Sequence, residues 1–133
     1  MDTDAHRYDD PHAQLTFAII GGAMEVLNGL GPGLHEKPYE NALVVEFQLR
    51  GLACEQQMGF PVDYKGVIVG EFVPDLIIGQ SVIVDAKVID RISDLERGQM
   101  LNYLRITGLK VGLIVNFKRA KLEWERIVLD RSR

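Results

Sequence analysis

Two acidic residues and a lysine interrupt an otherwise apolar stretch near the middle of the chain. Asp75, Asp85 and Lys87 stand there among Val, Ile and Leu residues, where an unpaired charge is costly. The runs Phe72–Ile78 and Val82–Ile89 are rich in strand-forming residues and are separated by Gly-Gln-Ser. The stretch therefore predicts a β-hairpin that carries charged side chains.

The length of the turn decides whether the two carboxylates lie together. Side chains alternate along a strand, so Asp85 and Lys87 share one face of the hairpin. A three-residue loop at 79–81 sets Asp75 opposite Asp85, whereas a two-residue loop sends Asp75 to the other face. We expect the three-residue loop, which brings the two Cβ atoms to about 5 Å from each other.

Two facing carboxylates repel each other unless a positive charge lies between them. Lys87 could supply that charge, but a divalent cation fits the pair better, because Mg²⁺ is commonly held by one or two carboxylates with water and phosphate oxygens. The alternative interpretation is an ordinary hairpin with both acids on a solvated face and Lys87 as their ion-pair partner.

The elements around the hairpin are predicted from apolar periodicity and from turn residues. Helices are expected at about 11–28, 38–50 and 93–107, the last with Ser93 and Glu96 spaced as a capping box. Short strands are expected before the hairpin at 54–58, 60–64 and 67–69, and after the third helix at 111–117 and 122–129.

A third acid could join the hairpin carboxylates. Glu46 falls inside the apolar stripe of the second helix, where a carboxylate must be paired, lie at the end of the stripe or bind a ligand. An ion pair with Arg50, one turn later, would explain Glu46 without a functional role. Glu36, at the start of the same helix, competes for this position, although the helix dipole alone favours an acid there.

Size and composition indicate a single domain. The 133 residues are enough to bury a core, with residues 1–9 expected as a disordered terminus and residues 10–133 as the domain. The single Cys54 excludes an internal disulfide and a metal site built from several cysteines. Because the chain shows neither a leader segment nor a continuous apolar run of membrane-spanning length, a cytoplasmic protein without a membrane partner is expected.

The charge distribution leaves two interpretations open. A net charge of −4 and a pI near 5.3 argue against a protein that coats nucleic acid electrostatically, but not against an enzyme that acts on it. Basic residues gather late in the chain, where they form either a phosphate-facing side or a solvated face. These residues are Arg97, Arg105, Lys110, Lys118, Arg119, Lys121 and Arg126.

Several short motifs along the chain resemble, in type and order, those of the bacterial GxxExxY proteins, a small family within the PD-(D/E)XK nuclease superfamily. The resemblance covers roughly residues 15–129 and is carried mainly by Gly33-x-x-Glu36-x-x-Tyr39, Pro74-Asp75, Asp85-x-Lys87 and Gln99-x-x-x-Tyr103. The family usually has Glu where this chain has Asp85, and the superfamily accepts either residue.

The resemblance implies an α/β (α+β) fold with a restriction-endonuclease-like core, in which a mixed β-sheet is flanked by helices. It implies a nuclease that depends on Mg²⁺ or Mn²⁺, with Asp75, Asp85 and Glu46 (alternatively Glu36) as metal ligands and Lys87 as a catalytic residue. By the same resemblance, Gln99 and Tyr103 support the site or contact the nucleic-acid backbone.

The implied partner is a nucleic acid, DNA in preference to RNA, and the small size is compatible with a homodimer or a protein partner. A catalytically silent module that binds nucleic acid or protein on the same scaffold is the alternative function.

Overall fold

The computed structural model describes residues 11–130, so the disordered terminus expected at 1–9 lies outside the described residues. The helices are α1 (Pro11–Leu30), α2 (Glu36–Leu49) and α3 (Asp94–Thr107). The strands are β1 (Cys54–Gln56), β2 (Phe60–Tyr64), β3 (Val67–Phe72), β4 (Leu76–Ile78), β5 (Val82–Lys87), β6 (Val111–Asn116) and β7 (Glu123–Val128).

Five strands form a mixed sheet in the order β1-β4-β5-β6-β7. Strands β5 and β6 are parallel, and the other neighbouring pairs are antiparallel. Parallel neighbours need a crossover connection, and α3 provides it between β5 and β6. Strands β2 and β3 pair with each other as a separate hairpin. The predicted mixed sheet flanked by helices is confirmed.

Apolar side chains cover both faces of the sheet. On one face, Val84 and Leu113 pack in a core that α1 and α2 share, with Ile19 and Leu43. On the other face, Ile83 and Ile114 pack with Met100 and Leu104 of α3. Because side chains alternate along β5, Asp85 and Lys87 fall on the same face as Ile83.

Helix α1 is long and apolar enough to cross a membrane by length and composition alone. Its residues Ile19, Ala23 and Leu27 are nevertheless buried in the core, at 0 %, 0 % and 3 % exposure. The opposite side of the helix carries the exposed Phe17 and Met24. This one-sided burial is typical of a core helix in a globular domain.

Several predicted boundaries were wrong, and three of them have a local reason. The hairpin strand does not begin at Phe72, which ends β3, because Pro74 has no N–H to donate to a ladder. Strand β1 ends at Gln56 because Gln57 adopts a left-handed φ of 60°. Helix α2 begins at Glu36, two residues before Pro38, since the N–H groups of a first turn need no intrahelical partner.

Candidate active site

The β4–β5 hairpin has the predicted three-residue loop. Leu76 pairs with Val84 and Ile78 with Val82, so residues 79–81 form the turn. Gly79 and Gln80 both adopt left-handed φ values, of 61° and 58°. Asp75 directly precedes β4 and accepts a hydrogen bond at Oδ2 from the Ala86 backbone N–H at 3.0 Å. This contact places its carboxylate beside Asp85.

A cavity of about 170 Å³ opens on this side of the hairpin. Asp85 and Lys87 reach it from β5, Tyr103 from α3, and Glu36 from the first turn of α2. The remaining lining residues are Phe72, Val73, Pro74, Asp75 and Ile83. The segment that joins β3 to β4 therefore forms a wall of the cavity as well as carrying Asp75.

The environment of Asp75 opposes its ionisation. Burial raises the pKa of Asp75 to about 7, with further contributions from the negative charge of Asp85 and a hydrogen bond between the two carboxyls. The Ala86 N–H acts in the opposite direction, because it stabilises the ionised form. Near neutral pH, Asp75 therefore gains or loses a proton readily.

Lys87 supplies a positive charge at the same place. Its Nζ lies 3.4 Å from Oδ2 of Asp85, and both side chains are mostly buried. Burial on its own lowers the pKa of Lys87, but the negative charges of Asp85 and Glu36 and a hydrogen bond to Asp85 outweigh it and raise the pKa overall. Lys87 is therefore held as an ammonium group beside Asp85.

Glu36 is held at the cavity by the backbone that follows β5. Its Oε2 accepts a hydrogen bond from the Val88 N–H at 3.2 Å. Val88 is the residue after Lys87, so the start of α2 is joined to the end of the strand that carries the site. The structure thus places the alternative third acid at the cavity.

Tyr39 holds the turn that precedes Glu36. Its hydroxyl donates to the Gly31 carbonyl at 2.7 Å and accepts from the Leu34 N–H at 3.2 Å. Its ring is stacked on Phe117, with centroids 4.6 Å apart. The Gly33 backbone has a φ of 109°, which favours glycine. The spacing of Gly33, Glu36 and Tyr39 therefore has a local structural reason, because Tyr39 anchors the loop that presents Glu36.

Glu46 does not lie at the cavity, so the expectation that it approaches the hairpin was wrong. Its Oε2 accepts a hydrogen bond from Nε of Arg50 at 2.7 Å, which is the ion pair that the sequence offered as the alternative. The Cγ atom of Glu46 lies beside Gly22 of α1, on the side of α2 that packs against that helix. The rotation of α2 therefore directs Glu36 and Glu46 to different places.

Tyr103 and Gln99 are one turn apart on α3, a spacing that predicts a shared face, but only Tyr103 of the two lines the cavity. Tyr103 lines the cavity and its ring stacks on Phe72, with centroids 4.0 Å apart. Burial and the charge of Asp85 raise the pKa of its hydroxyl, whereas Lys87 lowers it. Gln99, one turn earlier on α3, is half-buried and is not among the residues that line the cavity.

Glu40 is a buried acid near the site that the sequence reasoning missed. It is 4 % exposed, accepts hydrogen bonds from the side-chain amides of Gln56 and Gln57 at 2.8 Å each, and pairs with Lys37 at 3.3 Å. The Gln57 N–H in turn donates to the Asp75 carbonyl at 3.2 Å. Its position one turn after Glu36, on the same side of α2, was the signal available in the sequence.

The donor set suits a hard divalent cation. Within residues 11–130, no group of three or more His, Cys, Asp or Glu side chains is arranged to hold a metal ion. The facing Asp75 and Asp85 carboxylates nevertheless provide the one or two acidic ligands that Mg²⁺ requires, with water and phosphate oxygens as the others. A cation would also relieve the repulsion from Asp85, which adds to the effect of burial in raising the pKa of Asp75.

Comparison with known proteins gave a family match. A family model described as the PD-(D/E)XK nuclease superfamily matches residues 13–127, which is most of the chain. No curated protein matched the chain. No solved structure matched it either.

Proposed function

The chain belongs to the PD-(D/E)XK nuclease superfamily, and from that premise we propose that it is a metal-dependent nuclease that hydrolyses phosphodiester bonds of DNA or RNA. The observation that carries the proposal is that Asp75, Asp85 and Lys87 share one face at a cavity. Two opposed acids with a lysine are costly to bury and contribute little to folding. A catalytic role explains why all three occur at this place.

The roles follow from the positions of the side chains. Asp75 and Asp85 would hold Mg²⁺ or Mn²⁺, and Glu36 faces the same cavity as the third acid. The cation, when bound, would lower the pKa of a water molecule and neutralise charge on the phosphate. Lys87 places an ammonium group next to Asp85, where it can stabilise the negative charge that develops on the phosphoryl oxygens.

The aromatic residues shape the substrate side of the cavity. Tyr103 and Phe72 form a stacked pair at its wall, so the Tyr103 hydroxyl is held beside the acids. We assign Tyr103 to substrate positioning. Gln99 does not line the cavity, and its supporting role rests on the resemblance alone. We also propose that the chain belongs to the GxxExxY family within this superfamily. The structural roles of Gly33, Glu36 and Tyr39, which form and anchor the loop at the cavity, support this assignment.

A catalytically silent binding module is the second candidate, and the net charge of −4 favours it. An acidic protein gains no general electrostatic attraction for nucleic acid. The retention of Asp75, Asp85 and Lys87 together opposes this candidate, because binding alone needs no pair of facing acids.

Cleavage of labelled single- and double-stranded DNA and RNA in Mg²⁺ or Mn²⁺ tests the proposal. We expect Asp75→Ala to abolish cleavage. Lys87→Ala should slow cleavage by about 100-fold or more, since this substitution removes a positive charge that stabilises the transition state. Cleavage that survives in both variants would belong to a contaminant. If no substrate is cut under any condition, the silent module is the better description.

The two glutamates of α2 form a matched pair for the metal ligand assignment. Both Glu36→Gln and Glu46→Gln remove one negative charge, but only Glu36 lines the cavity. Calorimetric titration with Mn²⁺ should show weaker binding in Glu36→Gln, unchanged binding in Glu46→Gln and none in Asp85→Ala. Equal effects of the two glutamine variants would remove Glu36 from the site.

A further inference from the structure

Two loops meet at the carboxyl ends of the parallel strands β5 and β6. Residues 88–93 connect β5 to α3, and residues 117–122 connect β6 to β7. Together they carry four basic residues and one acid, which is a charge of +3. Because the whole chain has a net charge of −4, the other 121 residues carry −7. We call the four basic side chains the basic edge; they are Arg91, Lys118, Arg119 and Lys121.

The basic edge adjoins the candidate active site. Lys87 is the partner of Asn116 in the parallel ladder, and the N–H of Phe117 donates to the Lys87 carbonyl at 2.9 Å. Lys118 is the next residue, so the 117–122 loop begins beside the strand end that carries Lys87. An Nη1 hydrogen bond from Arg119 to the Asp90 carbonyl joins the two loops.

The charges of the basic edge are available to a ligand. Elsewhere Lys37, Arg50 and Arg97 pair with carboxylates. All four side chains of the basic edge are exposed, and none forms an ion pair with a carboxylate of residues 11–130. The 117–122 loop also contains no acidic residue, unlike the β7 strand that follows it. An ordinary solvated face has positive and negative side chains interspersed, whereas the charged side chains of this loop are all positive.

We propose that the basic edge binds the phosphodiester backbone of a nucleic acid and guides it to the cavity of Asp75 and Asp85. A cavity lined by acids repels a polyanion, so adjacent cations are needed to hold the strand there. Lysine and arginine are the side chains that bind phosphates, and Arg119 keeps further N–H donors beyond the one given to Asp90. That the bound nucleic acid is directed to the cavity rests on the proposed function, whereas binding to the basic edge does not require cleavage.

Salt-dependent binding tests this inference without any catalysis. Fluorescence anisotropy of a labelled 20-nucleotide DNA strand and its duplex would be followed in EDTA over a range of NaCl concentrations. The logarithm of the association constant decreases as the logarithm of the salt concentration rises. In Lys118→Ala/Lys121→Ala, the magnitude of this slope should decrease by about two, because each lysine that binds a phosphate contributes about one to it. No side-chain hydrogen bond of Lys118 or Lys121 is found within residues 11–130, so folding should be preserved, and thermal unfolding would verify this.

The matched control is Arg105→Ala/Lys110→Ala, which removes the same charge at the amino-terminal end of β6. The control should keep the slope of the original protein. An equal decrease of the slope in both variants would show that only net charge matters and would overturn the proposal. An unchanged slope in Lys118→Ala/Lys121→Ala, or no binding of DNA by the original protein, would also overturn it. A silent scaffold that fails to cleave but shows the selective loss would still support it.

Discussion

The carboxyl of Asp75 is held between opposing influences. The Ala86 N–H stabilises its charged form, whereas burial and the facing Asp85 favour the neutral form. The same pair of acids that would hold a cation therefore destabilises the metal-free protein at neutral pH. At this scale, an acid retained at a cost to folding is typical of a functional site.

Metal-free protein should lose stability as the pH rises. Since burial raises the pKa of Asp75 to about 7 in the folded state and the unfolded value is about 4, the folded state binds the extra proton between these pH values. The contribution is complete below the unfolded pKa and is lost as the pH rises through the folded one. We expect the free energy of unfolding in EDTA to fall by about 1–2 kcal/mol from pH 5 to pH 8, after allowance for solvent screening.

Urea unfolding of the original protein and of Asp75→Asn at the two pH values measures this effect. The asparagine cannot ionise, so the variant should show a smaller fall than the original protein. A fall of the same size in both proteins would assign the pH dependence to other groups.

Helices α1 and α2 make contact through a pair of glycines that differ in their surroundings. A Cβ atom on Gly22 would lie 2.8 Å from Cε1 of Phe47, a buried ring in the shared core. A Cβ atom on Gly21 would lie 3.4 Å from Nη1 of Arg50, the far end of a flexible side chain. The closer approach of the two helices is therefore at Gly22, and the approaching group is the Phe47 side chain.

Alanine substitution should act in opposite directions at these two positions. Gly21→Ala should stabilise the protein by about 0.5–1 kcal/mol, because alanine forms a helix more readily than glycine. Gly22→Ala should destabilise it by about 1–3 kcal/mol, because the Phe47 ring must move in a packed core. Denaturant unfolding of both variants provides the measurement, and stabilisation by Gly22→Ala would contradict this account of the packing.

The sheet divides the molecule into two apolar layers, one with α1 and α2 and the other with α3. The acids Asp75 and Asp85 lie on the α3 side, while Glu36 comes from a helix of the opposite layer. The candidate site therefore exists only when both layers are assembled on one sheet. A single cooperative unit is expected from this arrangement.

Truncations in the two layers should affect one common transition. Ile19→Ala in α1 and Leu104→Ala in α3 each remove a side chain that is 0 % exposed, and each should cost about 2–4 kcal/mol. Phe17→Ala, at a position of α1 that is 78 % exposed, should stay within about 0.5 kcal/mol of the original protein. Circular dichroism and the fluorescence of Trp124 should report the same midpoint for each variant, and separate midpoints would show that the layers unfold independently.

Local rules determined the hairpin that carries the site. The alternation of side chains and the turn residues predicted that Asp75 and Asp85 face each other, because the register of a hairpin is fixed by the length of its turn. The resemblance to the PD-(D/E)XK nuclease superfamily implied the mixed sheet flanked by helices, which the structure confirms.

Only the tertiary structure decided which glutamate of α2 reaches that hairpin. Glu36 and Glu46 lie on one helix, and their destinations depend on how α2 docks against α1 and β5, which no local pattern encodes. The same reason explains why Glu40 was missed, since its partners Gln56 and Gln57 are distant in sequence. The basic edge also arises from the fold, because the parallel pairing of β5 and β6 brings two separate loops to one end of the sheet.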